Sequence, residues 1–353
     1  MRRRPLLGLL LAAPWATPTL ALPAKALVFP RDHGAHPDFR IEWWYITGHA
    51  QAGEREFGFQ LTFFRFRVES TQAMSSGFAA KQLFAAHAAV TDVQGRKLWH
   101  DQRIARSSGA PGLDLATASA QDTVLRLRDW SLRREGEVYT ARLPADEFAL
   151  ALQFSPTQPL LLQGEQGLSR KGPERQQASY YYSMPQLAVR GSIRLKGRSF
   201  EVTGRAWLDH EWSNELMHPA AVGWDWIGMN LFDGSALTAF RLRRKNGLAL
   251  WDGGSFRSTE GGLTSFSQGD VQFSPQRQWK SPLSQASYPV EWLVQTPAGN
   301  YTVKAVIDNQ ELDSRASTGA IYWEGLSELF DSKGHRVGRG YLEMTGYAGA
   351  LRL

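Results

Sequence analysis

The sequence predicts an all-β fold, a sandwich or barrel built in two units. Three observations lead there. Apolar residues alternate with polar or small ones along much of the chain, the period of a half-buried strand. Turn residues interrupt these runs at short intervals, as in proteins made of many short strands. Helical periodicity is scarce. A length of 353 residues then suits about two domains. The chain is 42% hydrophobic and 21% charged, enough to bury a sizeable core. No low-complexity tract or long run of like charge argues for disorder.

The N-terminus reads as an address. Arg2-Arg3-Arg4 precedes the apolar run Leu6 to Trp15, which is too short to span a bilayer. Small-residue cleavage options follow, after Ala21 or after Ala26. Residues 1–26 are therefore expected to be a secretory signal peptide. The consecutive arginines leave the twin-arginine route open beside the general one. Export would place the mature chain in the periplasm, with no transmembrane segment. Cysteine is absent, which excludes disulfides, thiolate metal sites and a cysteine nucleophile. With residues 1–26 set aside, 36 basic residues face 34 acidic ones. The high pI is then no argument for a nucleic-acid partner, and none is expected.

The strands follow in order. In 57–63 the odd positions Phe57, Phe59, Leu61 and Phe63 are apolar; after Phe63 the phase slips to Phe64, Phe66 and Val68. A slip inside one strand predicts a β-bulge. Leu83 to Val90 suits a short helix or a strand equally well. Arg134-Glu135-Gly136 is a turn signal, and Phe148, Leu150, Leu152 and Phe154 alternate after it. Gln163 to Gln177 is polar and Gly/Pro-punctuated, an internal loop. Ile193 and Leu195 lead through Lys196-Gly197 to Phe200 and Val202, a hairpin pattern. Asn246-Gly247 between Leu242 and Leu248 is a stronger hairpin signal. The softest boundary, Asn214 to Gly223, divides the mature chain into units at 27–213 and 214–353.

Tryptophan marks the candidate site. Of 13 Trp residues, six fall in two places: Trp43-Trp44, and Trp207, Trp212, Trp224 and Trp226. They would line a pocket for a large apolar ligand or fill a core. If 201–212 is one strand, Val202, Gly204, Ala206, Leu208, His210 and Trp212 share the small, apolar inward face. Asp209 and Glu211 then point outward or toward the second unit. An inward imidazole beside an indole is a candidate general acid or base, titrating near neutral pH. Asp225, between Trp224 and Trp226, is a candidate carboxyl with a raised pKa. His87, flanked by alanines, is a candidate ligand contact or buried structural histidine. His33, His36 and Glu42 imitate a metal site, but their spacing follows no zinc template, and neither metal nor cofactor is expected. No G-x-S-x-G, P-loop or G-x-G-x-x-G occurs, which removes the usual support for esterase, NTPase and dinucleotide chemistry.

Seven blocks in order carry a resemblance: HPDFRIEWWYITGH (36–49), FGFQLTFFRF (57–66), AAHAAVTD (85–92), YYSMPQLAVRGSI (181–193), GRAWLDHEWS (204–213), WDWIGMNLFDGSAL (224–237) and YWEG with GYLEMTGY (322–347). The chain resembles the AttH-like family, related to the carotenoid 1,2-hydratases (hydroxyneurosporene synthases). The resemblance implies two tandem lipocalin-like antiparallel β-barrels with a ligand cavity at or near their junction. It implies two functions of different class. One is a hydro-lyase that adds water to an isoprenoid or polyene double bond, with a His-x-Trp pair matching His210 and Trp212. That branch also uses a Tyr-x-Asp pair, and no carboxylate stands in 236–241, so Asp209 or Asp225 would have to be the acid. Trp43, Trp44, His87, Trp207, Trp224 and Trp226 would contact the ligand. The other is a periplasmic lipid carrier working with ABC-transporter components. A hydrolase using Asp209, His210 and Glu211 ranks last, because adjacent strand residues point to opposite faces.

Overall fold

The computed structural model describes residues 21–110 and 112–351. The arginines and apolar run of the expected signal peptide lie outside them. The described chain is nearly all β, with two short 3-10 turns, Arg31–His33 and Glu69–Thr71. None of its helices is long and apolar enough to cross a membrane.

Two antiparallel sheets account for the strands. The first has thirteen, running from Ile41 to Glu215. Its first long strand, Ile41–Ala52, pairs with its last, Arg198–Glu215, and with Arg55–Arg67 on the other side. The sheet's edges, Lys97–Ser107 and Ala116–Ala118, approach each other, so it curls into a nearly closed barrel. The second sheet has ten strands, from Ala221–Leu231 to Arg336–Met344, which pair with one another.

Local chemistry explains the elements. Lys196 and Gly197 both have positive φ (49° and 78°) and turn Ala178–Leu195 into Arg198–Glu215, the twist-matched two-residue hairpin. Gly247 (φ 81°) turns Ala236–Arg244 into Ala249–Arg257 through a longer loop, closed by the Arg244 N–H donating to the Leu248 carbonyl at 2.9 Å. The apolar face of Phe148–Ser155 is buried and its alternate positions are not. Leu83 to Val90 lies within the strand Gln82–Asp92; Ala-rich though it is, pairing on both sides decides its form. The bulge expected after Phe63 is absent: Arg55–Arg67 keeps an unbroken register with both neighbours. The phase slip has another cause. Phe59, Leu61 and Phe63 fill the barrel, while Phe64 and Phe66 stand on the opposite face, toward the second sheet. Both faces of that strand are covered, so both carry apolar residues.

The barrel interior is packed with Phe57, Phe59, Phe148, Leu150, Phe154 and their neighbours, all nearly inaccessible. Leu22, Leu27 and Phe29 lie against this core, and the Tyr180 hydroxyl donates to the Pro23 carbonyl at 2.6 Å. A separate apolar cluster joins the sheets: Tyr45 and Trp207 of the first meet Trp226, Phe240, Leu326 and Tyr341 of the second. A bulge between Met184 and Leu187 turns Gln186 (φ 57°) onto the second sheet. Its side-chain amide donates to the Leu231 and Ser235 carbonyls at 2.9 Å. Asn230 answers with a hydrogen bond to the Ala206 carbonyl at 3.1 Å.

Gly58 sits where the sheets touch. A Cβ there would lie 2.7 Å from the Tyr341 hydroxyl and 2.9 Å from Leu326 Cβ. Gly58→Val should therefore cost about 1–3 kcal/mol by overpacking, read as a lowered melting temperature. An unchanged melting temperature would mean that the seam opens freely.

Candidate functional site between the two sheets

One strand supplies two different sites. Along Arg198–Glu215, Val202, Ala206, Leu208 and Trp212 face the barrel interior, while Trp207, Asp209 and Glu211 face the second sheet, as period-two geometry requires.

On the inner face, Glu42 is fully buried. Arg65 Nε donates to its Oε2 at 2.7 Å, and His210 Nε2 and His36 Nδ1 reach Oε1 at 2.9 and 2.7 Å. Arg65 also donates to the His36 and Phe39 carbonyls, so it ties the incoming loop to the barrel. These hydrogen bonds and the positive charge of Arg65 hold the Glu42 carboxyl well below the usual carboxylate range, against the opposing effect of burial. His36 Nε2 contacts Asp32 Oδ1 at 3.0 Å, and its ring stacks on Trp212 with centroids 3.7 Å apart. His210 stacks on Trp44 at 4.6 Å, and its Nδ1 meets the Tyr182 hydroxyl at 3.2 Å. Burial pulls the His210 pKa down to about 4, so the ring is neutral at pH 7. His36, Glu42 and His210 bring ligand atoms within 4.8 Å of one another, a grouping whose spacing along the sequence gave no sign of it. Those atoms are already committed to each other, and the Arg65 guanidinium beside them opposes a cation. The cluster is a charged brace rather than a pocket wall.

The opposite face opens onto a cavity between the sheets, about 1170 Å³ counting its mouth. Trp43, Tyr45, Phe64 and Tyr181 form the first wall; Trp224, Trp226, Phe240 and Tyr322 form the second. Four carboxyls enter this aromatic space: Asp209, Glu211, Glu324 and Glu343. Asp209 accepts hydrogen bonds from Ser183 (2.5 Å), Trp207 Nε1 (2.6 Å) and Tyr181 (2.7 Å). Burial outweighs these and raises its pKa to about 7. Glu211 is paired with Lys171 Nζ at 3.0 Å, and that ammonium also lies over the Phe240 and Tyr181 rings. His87 joins the wall with both nitrogens occupied, by Tyr322 and by Ser317, each at 2.8 Å. Burial lowers its pKa to about 3.

The candidate residues thus separate. Trp43, His87, Asp209, Trp224 and Trp226 line the cavity. Trp207 stands behind it, bonded to Asp209. Trp44, His210 and Trp212 are on the packed side of the barrel and do not reach the cavity, because aromatic rings and the 31–36 loop fill that space. Asp225 points away from it as well. It is held by Arg241 (2.7 Å), Arg243 (3.0 Å) and the Tyr347 hydroxyl (2.9 Å), a paired carboxyl rather than an isolated one. Sequence reasoning missed Glu324, Glu343 and Tyr45. The available signal was the aromatic-acid-glycine pattern shared by EWWYITG, YWEGL and EMTGY: each contributes an acid to one of the two sites.

The sequence profile of the AttH-like family matches residues 20–347. A candidate AttH from Nitrosomonas europaea is 46% identical, with a TM-score of 0.85 over 93% of this chain and 99% of its own. Kievitone hydratase from Nectria haematococca shares the fold at 12% identity, with a TM-score of 0.68 over 92% of this chain and 94% of its own. CghA bound to Sch210972 shares it more loosely, at 12% identity and a TM-score of 0.55, over 89% of this chain and 90% of its own. No curated protein sequence matches the chain.

Glu42→Ala would leave the Arg65 charge buried without its carboxylate. The expected cost is about 3–5 kcal/mol, read by chemical denaturation. In the intact protein, the imidazole NMR signals of His210 should stay flat between about pH 8 and pH 5, since its folded pKa is about 4 against about 6.5 when free. A normal titration near 6.5 would contradict the buried arrangement.

Proposed function

The chain belongs to the AttH-like family, and from that membership we propose an exported protein that binds an isoprenoid, polyene or other lipid between its two lipocalin-like units and adds water across a terminal double bond. Export rests on the leader-like residues 1–26. The chemistry rests on one observation: Asp209 faces an aromatic cavity with its pKa raised to about 7. Such a group holds a proton near neutral pH and still gives it up, the property a general acid needs.

The step balances without a co-reactant. Asp209 passes its proton to the terminal alkene carbon. Positive charge develops on the more substituted carbon, where the faces of Trp43, Trp224 and Trp226 stabilise it by cation–π attraction. Water bonds to that carbon, and the proton it sheds returns to the Asp209 carboxylate. His210 acts from behind, by holding Glu42 and the strand that presents Asp209. The Nectria haematococca hydratase has the same architecture, which supports water addition on this scaffold. A second reading is a periplasmic lipid carrier serving an ABC transporter. The sealing of His210 away from the cavity favours it, since binding alone needs no base.

The deciding experiment is to purify the exported protein, extract it with organic solvent and identify the extract by mass spectrometry. An isoprenoid alcohol one water heavier than a cellular alkene supports the hydratase; a stoichiometric unmodified lipid supports the carrier. Asp209→Asn should reduce turnover by about 10²–10⁴-fold while ligand quenching of Trp fluorescence persists. The same variant tests the acid's state. Because the folded pKa lies above the unfolded value of 3.8, wild-type Asp209 withdraws stability as pH rises from about 4 to about 7. Asn carries no charge, so the variant should be more stable than wild type at pH 8 by about 2–4 kcal/mol, with the gap closing toward pH 4.

A further inference from the structure

Glu324 and Glu343 stand directly opposite each other on neighbouring strands, Ala320–Phe330 and Arg336–Met344, and both line the cavity. Like charges in that position repel. The other buried carboxylates of this region have partners, Glu42 in Arg65, Asp225 in Arg241 and Arg243, Glu211 in Lys171, and Asp209 in three neutral donors. Among the described residues, Glu324 and Glu343 make no ion pair. A further observation points the same way. Glu324 is 2% exposed and Tyr45 is 6% exposed, yet Glu324 Oε1 and the Tyr45 hydroxyl make no hydrogen bond of good geometry, having chiefly each other for polar company. Buried polar atoms left unpaired are costly, and these two face the same cavity.

We propose that Glu324, Glu343 and the Tyr45 hydroxyl form a subsite for the primary ammonium group of an otherwise apolar ligand. This deepens the cavity reading and rests on it. Three acceptors converge, and an ammonium supplies three donors. A hydroxyl supplies one, and a carboxylate or phosphate head would meet repulsion. The indole of Trp224, whose N–H lies against Glu343, and the ring of Trp226 supply the aromatic surface that a cation favours and that an alkyl chain wets. Without a ligand, the pair avoids its own repulsion by keeping protons: burial, with the Asp209 and Glu211 carboxyls nearby, pushes Glu343 up to about 8, and burial with the facing Glu343 carboxyl pushes Glu324 well above the usual carboxylate range. Protonation relieves the charge but leaves Glu324 Oε1 without a well-aligned donor.

The test uses two probes of equal length, n-decylammonium and n-decanol, titrated by calorimetry below their self-association concentrations. The protein is the full mature chain, wild type and the double variant Glu324→Gln/Glu343→Gln. Thermal melting checks folding, and the single variant Glu343→Gln stands in if the double variant does not fold. The expected result is one decylammonium per chain, bound at least tenfold more tightly than decanol in wild type. The double variant should lose tenfold or more for the ammonium and keep decanol within twofold. Equal affinity for the two probes, or ammonium affinity indifferent to the variants, overturns the subsite and leaves the cavity reading standing. Saturable binding of neither probe overturns both.

Discussion

A carboxylate taken wholly out of water needs a partner on every side, and Glu42 finds them in Arg65, His36 and His210. This one buried charge organises the first barrel. Its strand pairs with the strand of His210, so the hydrogen bond between the two side chains lies across the ladder that closes the sheet. Arg65 comes from the other neighbouring strand and reaches the loop before the barrel. Three adjacent strands and the 31–36 segment are thus locked in one register. Replacing any member strands the others, since a buried pair is worth little net but its halves are expensive alone. The brace therefore specifies geometry more than it adds stability.

That geometry has its effect on the far side of the same strand. With His210 fixed inward, Asp209 and Glu211 must face outward, and the second sheet covers them. The cavity is the space left where two curved sheets meet with large aromatics between them. Asp209, Glu324 and Glu343 owe their raised pKa values to that cover, since burial is the leading cause for all three. The two halves of the site have opposite electrostatics for one reason: inside the barrel Glu42 has a cation and donors enough to stay ionised, and in the seam Asp209, Glu324 and Glu343 do not.

Much of this was legible in the sequence. The hairpins at Lys196-Gly197 and Asn246-Gly247, the alternation at 148–154, and the division of 201–212 into two faces all follow from local rules. The family's blocks identify the architecture. What local rules do not hold is which face another sheet will cover. The slip at Phe63–Phe64 reads as a bulge until the second sheet is placed against Phe64 and Phe66. By the same limit, the inward face of 201–212 read as a pocket. The alternation assigned His210 and Trp212 correctly to one side, but which side is empty depends on Trp44, His36 and Tyr182, residues far apart in sequence. Glu324 and Glu343 are separated by a hairpin, and only their register makes them a pair.

The Gln186 bulge and the apolar seam hold the second sheet against a face of the first, but the groups that set the barrel's register and the groups that line the cavity are carried by different side chains. Half of the cavity wall belongs to the second sheet, which contributes nothing to the Glu42 brace. Substitutions at Trp224, Phe240, Tyr322, Glu324 or Glu343 can therefore reshape the cavity without disturbing the charge network that braces the first barrel. A scaffold divided in this way is evolvable: the shape and charge of the cavity can change through one wall while the other stays anchored.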